Sequence, residues 1–180
     1  MARVIDVQTA HTSSLDPSTL EEVRALVHQA FDGHFDDDDW DHCLGGVHAV
    51  VWEDDQLVAH GSIIQRRLLH GDRALRTGYV EGVAVRADRR RRGYGRAVMQ
   101  QLDGVLHGAY EIGALSSGPE AARLYRTLGW RRWEGRTWVL APTGIERTAE
   151  EDETTYVLPV AIALDLGGDL VCDWRDGDVW

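Results

Sequence analysis

The feature that most constrains the fold is a strand, an arginine- and glycine-rich turn and a helix that follow one another near the middle of the chain. Residues 79–85 read Y-V-E-G-V-A-V. This apolar, β-branched run predicts a buried strand, and Gly82 within it is typical of a bulge or a close backbone approach. Gly93 and Gly95 stand where a helix should begin, and Ala97–His107 continues with apolar residues at helical spacing. The segment therefore predicts a strand–turn–helix unit around which the other elements are arranged.

The turn has the properties of an anion site. The first N–H groups of a helix lack partners within the helix, the helix dipole is positive at that end, and glycine lets an oxyanion approach the backbone. Six arginines lie within residues 86–96. The dinucleotide fingerprint is excluded because Val98 stands where its third glycine would be, and the P-loop motif is absent. The turn predicts a pyrophosphate site, and a basic helix cap without a ligand is the alternative.

Two motifs resemble those of GNAT-type N-acetyltransferases. The first is Arg90-x-x-Gly93-x-Gly95, which matches [Q/R]-x-x-G-x-[G/A] after such a strand. The second is residues 122–130, A-R-L-Y-R-T-L-G-W, which is similar to A-x-x-L-Y-x-x-x-G-[F/W]. The resemblance implies one α+β domain over residues 1–180. It would have the GNAT fold, a mixed and mostly antiparallel sheet with two splayed parallel strands and flanking helices, and acetyl-CoA would be its cofactor.

The periodicity of the remaining sequence predicts the elements around this unit. A helix capped at Asp16 or Ser18 should extend to Phe31. Gly129 fits the position just after a second helix, expected at residues 120–128. Further helices are expected at residues 38–44 and 120–128. Strands are expected at residues 3–9, 47–52, 57–69, 74–85, 110–115, 138–141, 156–162 and 170–174.

Composition limits the class of protein. The 180 residues suffice for one domain with a core, and the seven tryptophans argue against disorder. No apolar run is long enough to span a membrane and the N-terminus lacks the apolar region of a signal peptide, so a cytoplasmic protein without a membrane partner is expected. Cys43 and Cys172 are expected to be buried free thiols, with a disulfide as the alternative. His42, Cys43 and His48 match no metal spacing, so no metal is predicted.

The charge distribution favours small charged ligands over nucleic acid. The formal charge of the chain is −11, yet residues 86–96 hold six arginines and one aspartate, a net +5, so the remainder carries −16. This disfavours nucleic acid as a partner. It favours an anionic cofactor at the turn and a cationic substrate elsewhere, and ordinary solubility is the alternative explanation of the acidic surface.

The GNAT resemblance also assigns roles to residues. An alkyl ammonium has a pKa of about 10.4, so only about one molecule in 10³ is neutral at pH 7 and acetyl transfer needs a base. Glu81 is the candidate base and Tyr125 the candidate acid for the CoA thiolate, with structural roles as the alternatives. No Ser–His–Asp or Cys–His arrangement is evident, which favours direct attack in a ternary complex. The residues expected to contact the cofactor are Val83, Ala84, Val85, Arg90, Arg91, Arg92, Gly93, Tyr94, Gly95 and Arg96.

A closer resemblance covers nearly the whole chain. The runs Y-V-E-G-V-A-V-R-A-D, G-A-L-S-S, V-L-A-P-T-G and C-D-W-R-x-G-D-V-W resemble those of the aminoglycoside 2′-N-acetyltransferases of mycobacteria and relatives. The resemblance implies acetylation of the 2′-amine of aminoglycoside antibiotics, drug resistance, and a homodimer. The residues it assigns to the acceptor are His34, Asp39, Glu81, Gly82, Ser116, Glu151, Asp178 and Trp180. Two of these depart from the family, since His34 and Glu151 each stand where an aspartate can occur.

Acidic clusters agree with a cationic acceptor. They lie at residues 36–39, 150–153 and 173–178, where carboxylates suit ammonium groups and tryptophan faces suit cations and sugar rings. Helix capping is the alternative for the first cluster, and a solvated or dimer-packed end is the alternative for the last. Two other functions stay open from the residues alone. One is acetylation of a different amine in a housekeeping role, and the other is a CoA-binding module without catalysis.

Overall fold

The computed structural model describes residues 4–180 and contains α-helices, β-strands and short 3₁₀ turns. The α-helices are α1 (Pro17–Ala30), α2 (Asp37–His42), α3 (Tyr94–Ala109) and α4 (Ala122–Thr127). The strands are β1 (Ile5–His11), β2 (Val47–Glu53), β3 (Gln56–His70), β4 (Arg73–Val85), β5 (Ile112–Ser116), β6 (Arg131–Arg132), β7 (Thr137–Ala141), β8 (Gly144–Arg147), β9 (Thr155–Pro159) and β10 (Leu170–Asp173).

The chain divides into two compact units, each made of two segments. The first unit comprises Met1–Ile64 and Val80–Val105, and the second comprises Gln65–Tyr79 and Leu106–Trp180. Strands β3 and β4 each contribute residues to both units.

The first unit is built on antiparallel strands and helix α1. Strand β1 pairs with β2, from Ile5↔Glu53 to His11↔Val47, and β2 pairs with β3. Helix α1 begins as predicted, because Asp16 accepts the N–H of Thr19 and Pro17 occupies the first turn. The buried side chains that join this helix to the strands are Val23, Leu26, Val27, Val50, Leu57 and Ala84.

Helix α3 lies close to the sheet at Gly61. A Cβ built at Gly61 would come 2.7 Å from Cγ1 of Val98 and 3.2 Å from Cδ1 of Leu102. Because glycine has no Cβ, the buried face of α3 can approach β3 at this point. The helix that starts at the arginine-rich turn is therefore fixed by side-chain packing along its first turns.

The second unit carries most of the sheet. Its strand order is β6-β9-β5-β4-β3-β10-β7-β8. The pairs β4·β5 and β7·β10 are parallel, whereas β5·β9, β6·β9, β7·β8 and β3·β10 are antiparallel. The prediction of an α+β fold with a mixed, mostly antiparallel sheet is therefore confirmed. The core of this unit includes Trp133, Leu170 and Trp180.

The parallel ladder between β4 and β5 is short. It runs from Thr77↔Ile112 to Tyr79↔Ala114, although β4 itself continues to Val85. The GNAT resemblance implied two splayed parallel strands, with a separation expected near Glu81. The register places the end of their ladder slightly earlier, after Tyr79.

Several predicted boundaries differ from the structure, and two short strands were missed. Strand β5 begins at Ile112 rather than Tyr110, because Glu111 donates its N–H to Arg76 O outside the ladder. Helix α4 begins at Ala122 rather than Glu120, and its end before Gly129, which has φ +88°, agrees with the prediction. Strands β6 and β8 went unpredicted because they are short and mostly exposed, so they lack an apolar alternation.

Both cysteines are buried. Cys43 and Cys172 are both free thiols, as the sequence predicted. Burial is the main cause that raises the pKa of Cys172 to about 12, so this thiol is protonated at pH 7. In residues 4–180, none of the helices is long and apolar enough to cross a membrane.

Candidate active site

The arginine-rich turn has a backbone suited to an oxyanion. Helix α3 starts at Tyr94, and two residues just before it lie in the left-handed region, Arg91 at φ +62° and Gly93 at φ +91°. Turn conformations of this kind can direct successive N–H groups into an anion-binding concavity. A Cβ built at Gly93 would meet no heavy atom within 4 Å. The turn therefore offers open space beside the start of α3, as a bound pyrophosphate requires.

Several of the arginines at the turn are used within the protein. Arg86 donates to both carboxylate oxygens of Asp88 at 2.8 Å, and Arg89 pairs with Asp88 and with Glu53. Arg90 donates from Nη2 to the Ala30 carbonyl at 3.0 Å. The hydrogen bond from Arg86 is the main cause that lowers the pKa of Asp88 to about 2. The local positive charge is therefore smaller than the sequence count suggests.

Two further arginines of the turn are exposed and are available for contact with a ligand. Arg91 and Arg92 are exposed, and they flank the left-handed backbone just before α3. Guanidinium groups form charge-assisted hydrogen bonds with phosphate oxygens. These two side chains can therefore add to the binding supplied by the main chain.

Glu53 is a buried carboxylate that contacts two residues of the turn, Arg89 and Tyr94, and its role was not predicted from sequence. It is 3% exposed, pairs with Nε of Arg89, and accepts a 2.5 Å hydrogen bond from the Tyr94 hydroxyl. This carboxylate links the end of β2 to the first residue of α3. The sequence placed Glu53 in a polar turn with the aspartates that follow it. The available signal was the period of β2, since Glu53 continues the inward face that carries Val51.

Glu81 and Gly82 interrupt the regular conformation of β4. Glu81 is half-buried, and its carbonyl accepts a 3.5 Å contact from the Ser62 hydroxyl. Gly82 has φ +55°, and a Cβ there would come 2.7 Å from Sγ of Cys43. Only glycine fits this position without strain and collision. The chain therefore leaves the extended strand conformation directly beside the candidate base.

A chain of buried hydrogen bonds ends on the carbonyl of Gly82. Thr12 Oγ1 lies 2.8 Å from His48 Nε2, His48 Nδ1 lies 2.9 Å from His60 Nε2, and His60 Nδ1 lies 2.9 Å from the Gly82 oxygen. The carbonyl can only accept, so His60 carries its proton on Nδ1 and the other donors follow in order back to Thr12. Burial lowers the pKa of His48 to about 4, with the charge of His11 as the next cause. Burial also lowers the pKa of His60 to about 3, with the charge of His48 as the next cause.

This chain holds the backbone and does not carry protons to the substrate. The Gly82 carbonyl oxygen accepts a hydrogen bond but does not become protonated in neutral solution, so the chain of hydrogen bonds ends there. His48, which the sequence analysis considered beside His42 and Cys43, is engaged in this network. Within residues 4–180 there is no group of three or more His, Cys, Asp or Glu side chains placed to hold a metal ion.

Tyr125 is a buried phenol in the second unit. It lies on α4, is 5% exposed, and packs near the rings of Trp130 and Tyr156 at centroid distances of 6.2 and 6.0 Å. Burial raises the pKa of Tyr125 to about 12, against a smaller opposing effect of a hydrogen bond with Ser117. The hydroxyl is therefore protonated at pH 7 and is able to donate a hydrogen bond.

Ser116 and Glu151 are brought together in the second unit. The Ser116 hydroxyl donates to Oε2 of Glu151 at 3.0 Å, and the Thr154 hydroxyl donates to the same oxygen at 2.5 Å. Ser116 ends β5, and Glu151 lies on a 3₁₀ turn before β9. Two of the residues assigned to the acceptor from sequence thus form one hydrogen-bonded cluster.

Residues 173–180, which we call the tail, have a defined conformation in the second unit. Trp180 is 3% exposed, and its indole N–H donates to Thr148 Oγ1 at 2.9 Å. Oδ1 of Asp178 accepts the main-chain N–H of Trp180 at 3.0 Å, and Nη2 of Arg175 donates to the Trp180 carbonyl oxygen at 3.0 Å. The indole of Trp180 is therefore a core side chain, and the side chains that the tail exposes are Trp174, Asp176 and Asp178.

His34 and Asp39 lie in the first unit, at the acidic segment. His34 is exposed and follows the end of α1, whose Phe31 carbonyl accepts its N–H. Asp39 forms a capping box with Asp36, in which each carboxylate accepts the other residue's main-chain N–H at 3.0 Å. The alternative that the sequence allowed for this cluster, helix capping, is therefore present in the structure.

The sequence is similar to that of acetyltransferases. A family profile described as an acetyltransferase (GNAT) domain matches residues 11–133. An aminoglycoside 2′-N-acetyltransferase from Mycolicibacterium fortuitum is 51% identical over 174 residues, which cover 94% of this chain and 89% of that protein.

Solved structures show the same fold at low sequence identity. The ribosomal-protein-S18-alanine N-acetyltransferase of Escherichia coli has a TM-score of 0.63 at 17% identity, covering 90% of this chain and 97% of that one. A GNAT family acetyltransferase from Brucella melitensis, solved with acetyl-CoA, has a TM-score of 0.63 at 15% identity, covering 93% of this chain and 94% of that one. These similarities establish the architecture alone.

Proposed function

The chain belongs to the GNAT family of acetyltransferases, and from that premise we propose that it transfers the acetyl group of acetyl-CoA to the 2′-amine of aminoglycoside antibiotics. Acetyl-CoA is the cofactor of this family and supplies the acyl group as an activated thioester. The observation that carries the choice of acceptor is the similarity, along nearly the whole chain, to an aminoglycoside 2′-N-acetyltransferase.

The first unit is proposed to hold the cofactor. The left-handed backbone at Arg91 and Gly93 and the open space beside Gly93 support a pyrophosphate at the start of α3. Main-chain groups of Val83, Ala84 and Val85 are proposed to contact the pantetheine arm, and an N–H there would polarise the thioester carbonyl. The turn residues proposed to surround the pyrophosphate are Arg90, Arg91, Arg92, Gly93, Tyr94, Gly95 and Arg96.

Carboxylates are proposed to bind the acceptor. Ammonium groups of an aminoglycoside pair with carboxylates through charge-assisted hydrogen bonds, and hydroxyls such as that of Ser116 can bond the sugar. Since the Trp180 ring is buried, its main chain is the part proposed to contact the drug. The full set proposed for the acceptor is His34, Asp39, Glu81, Gly82, Ser116, Glu151, Asp178 and Trp180.

Two residues are proposed to move protons. Glu81 removes a proton from the acceptor's ammonium, directly or through water, so that the neutral amine can attack in a ternary complex. The hydroxyl of Tyr125 hydrogen-bonds to the leaving thiolate and donates its proton there. Because its pKa is raised to about 12, Tyr125 keeps that proton until negative charge develops beside it.

The decisive experiment compares two acceptors that differ at one position. Kanamycin B has an amine at the 2′ position and kanamycin A a hydroxyl, so kcat/KM for CoA release should be high with the first and near background with the second. Equal rates with both drugs would assign the acetyl group to another amine. Acetyl-CoA binding without turnover on either drug or on a panel of amino sugars, polyamines and lysine peptides would indicate a module without catalysis.

The wider biological role follows from this activity. We propose that the protein is a cytoplasmic homodimer that confers aminoglycoside resistance and has small molecules, rather than nucleic acid or a membrane, as partners. The net charge of −11 and the pairing of Arg86 and Arg89 with acidic residues support the exclusion of nucleic acid. Expression in a sensitive bacterium should raise the inhibitory concentration of kanamycin B more than that of kanamycin A.

A further inference from the structure

Arg66 is a buried arginine whose hydrogen bonds reach the tail. It lies on β3, is 4% exposed, and donates from Nε to Oδ1 of Asp173 at 2.8 Å. Its Nη2 donates to the main-chain carbonyls of both Asp173 and Val179, each at 2.8 Å. One guanidinium thus contacts the first residue of the tail and the residue before its end.

We propose that Arg66 is a positioning residue for the acceptor site, because it fixes the segment that carries Asp178 and the main chain of Trp180. The inference rests on the proposed function, in which those two groups bind the aminoglycoside. Arg66 does not touch the acceptor in this role and acts through the tail's main chain.

The chemistry of the contact indicates a role in geometry rather than in stability. Burying a guanidinium costs free energy that its ion pairs rarely exceed, and an apolar side chain of similar size is often as stabilising. Asp173 is the one carboxylate paired with Arg66, and Nη1 of Arg66 has no hydrogen-bond partner among the residues that the structure describes. What an apolar residue could not do is hold the carbonyls of Asp173 and Val179 at a fixed separation, as a planar fork of N–H groups does.

The remaining contacts of the tail show why Arg66 matters for Asp178. Arg175 belongs to the tail itself and donates to the Asp178 carbonyl at 2.7 Å, so it shapes the local turn. The Trp180 indole anchors the other end through Thr148. Arg66 attaches the turn between these points to the sheet. Without it, the ring of Trp180 stays in the core while Asp178 loses its fixed position.

The test uses two substitutions of Arg66 in the full chain. Arg66→Met keeps the volume and removes every donor, whereas Arg66→Lys keeps the charge and removes the fork. Because Arg66→Met removes every charged hydrogen bond to the tail, it should raise KM for kanamycin B by about tenfold or more, and Arg66→Lys should raise it by less. KM for acetyl-CoA should stay within about twofold in both.

Asp173→Asn is the matched control, because it removes the ion pair while Arg66 can still donate to the main-chain carbonyls of residues 173 and 179. The KM of this variant for kanamycin B should rise far less than that of Arg66→Met. A purely structural role would lower the melting temperature and the amount of active enzyme without separating the two KM values. If wild type acetylates kanamycin B and both Arg66 variants keep its KM, the inference is wrong; if wild type does not, the proposed function is wrong. Should Arg66→Met not fold, Arg66→Lys decides.

Discussion

Residues 86–96 in the first unit and the tail, residues 173–180, in the second are both dense in charge, and the structure uses those charges in opposite ways. At the turn, acidic residues neutralise Arg86 and Arg89, and what remains for a ligand is the backbone with the exposed Arg91 and Arg92. In the tail, arginines bind main-chain carbonyls and leave exposed carboxylate at Asp178. A count of charges in a segment therefore does not show which of them are available; their partners do.

Deleting residues 174–180 is the strongest way to break this comparison. Turnover of kanamycin B should fall by more than about 10²-fold, since the deletion removes groups proposed to bind the ammonium groups of the drug. Unfolding free energy should also fall by about 3–5 kcal/mol, because the buried Trp180 ring leaves the core of the second unit. Calorimetry should still detect acetyl-CoA binding. A truncated protein that acetylates the drug normally would refute the role of the tail.

Tyr125→Phe separates chemistry from binding in the second unit. The substitution removes a hydroxyl and keeps the ring, so kcat should fall by about 10²-fold while the Kd for acetyl-CoA changes little. Stopped-flow and calorimetric measurements on one preparation give both numbers. Tyr156→Phe is a matched control on a neighbouring buried ring. Unchanged turnover in the Tyr125 variant would remove this residue from the mechanism.

Gly93→Val sharpens the claim that the backbone binds the cofactor at the turn. A β-branched residue at φ +91° is strained, and its side chain would occupy the open space at the start of α3. We expect KM for acetyl-CoA to rise about tenfold or more. The matched control is Gly104→Ala, within α3, where a Cβ meets nothing within 4 Å. That control should leave KM unchanged and raise stability by up to about 1 kcal/mol.

Acid should destabilise the two units over different pH windows. His48 and His60 have pKa values lowered to about 4 and about 3, so the unfolded chain binds more protons below pH 6.5 and stability falls as pH drops from 6.5 toward 4. The expected loss is on the order of 3 kcal/mol for one such histidine. In the second unit, the hydrogen bond from Arg147 is the main cause that lowers the pKa of Asp152 to about 2, so its contribution is lost only as pH falls from 3.8 toward 2.

Urea unfolding at a series of pH values measures the first window. His48→Gln should flatten the slope of unfolding free energy between pH 6.5 and 4.5, because it removes one of the two buried imidazoles. A wild-type stability that does not change with pH over this range would contradict the assignment of neutral buried histidines.

Single arginine substitutions at the turn should have the smallest effects on affinity and should still differ in kind. Arg91→Gln and Arg92→Gln should each raise KM for acetyl-CoA about two- to fivefold, less so at high salt, because both side chains are exposed. Arg89→Gln should act on stability instead, since it removes the cation paired with the buried Glu53. Equal loss of affinity in all three would show that the internal ion pairs do not restrict which arginines bind phosphate.

The comparison also explains what could be predicted from sequence. The strand, turn and helix of the cofactor site were predictable because they are contiguous and their glycines have local conformational causes. The hydrogen bonds that involve Glu53, Arg66 and the pair His48–His60 were not, because each joins segments far apart in sequence and depends on strand register. The same reason hid the burial of the Trp180 ring. The residue type of Trp180 suggested an aromatic contact with the substrate, whereas its ring lies in the core of the second unit.

The discontinuity of the two units has a consequence for how the polypeptide can be made and cut. The chain leaves the first unit after Ile64, returns at Val80 and leaves again after Val105, so no single break releases either unit whole. During synthesis on the ribosome, the first unit has all its residues only once position 105 has emerged. At that point the hairpin of residues 65–79, which belongs to the second unit, has been made but residues 106–180 of that unit have not. Fragment complementation should accordingly succeed for a split beyond position 105 and fail for one inside the hairpin.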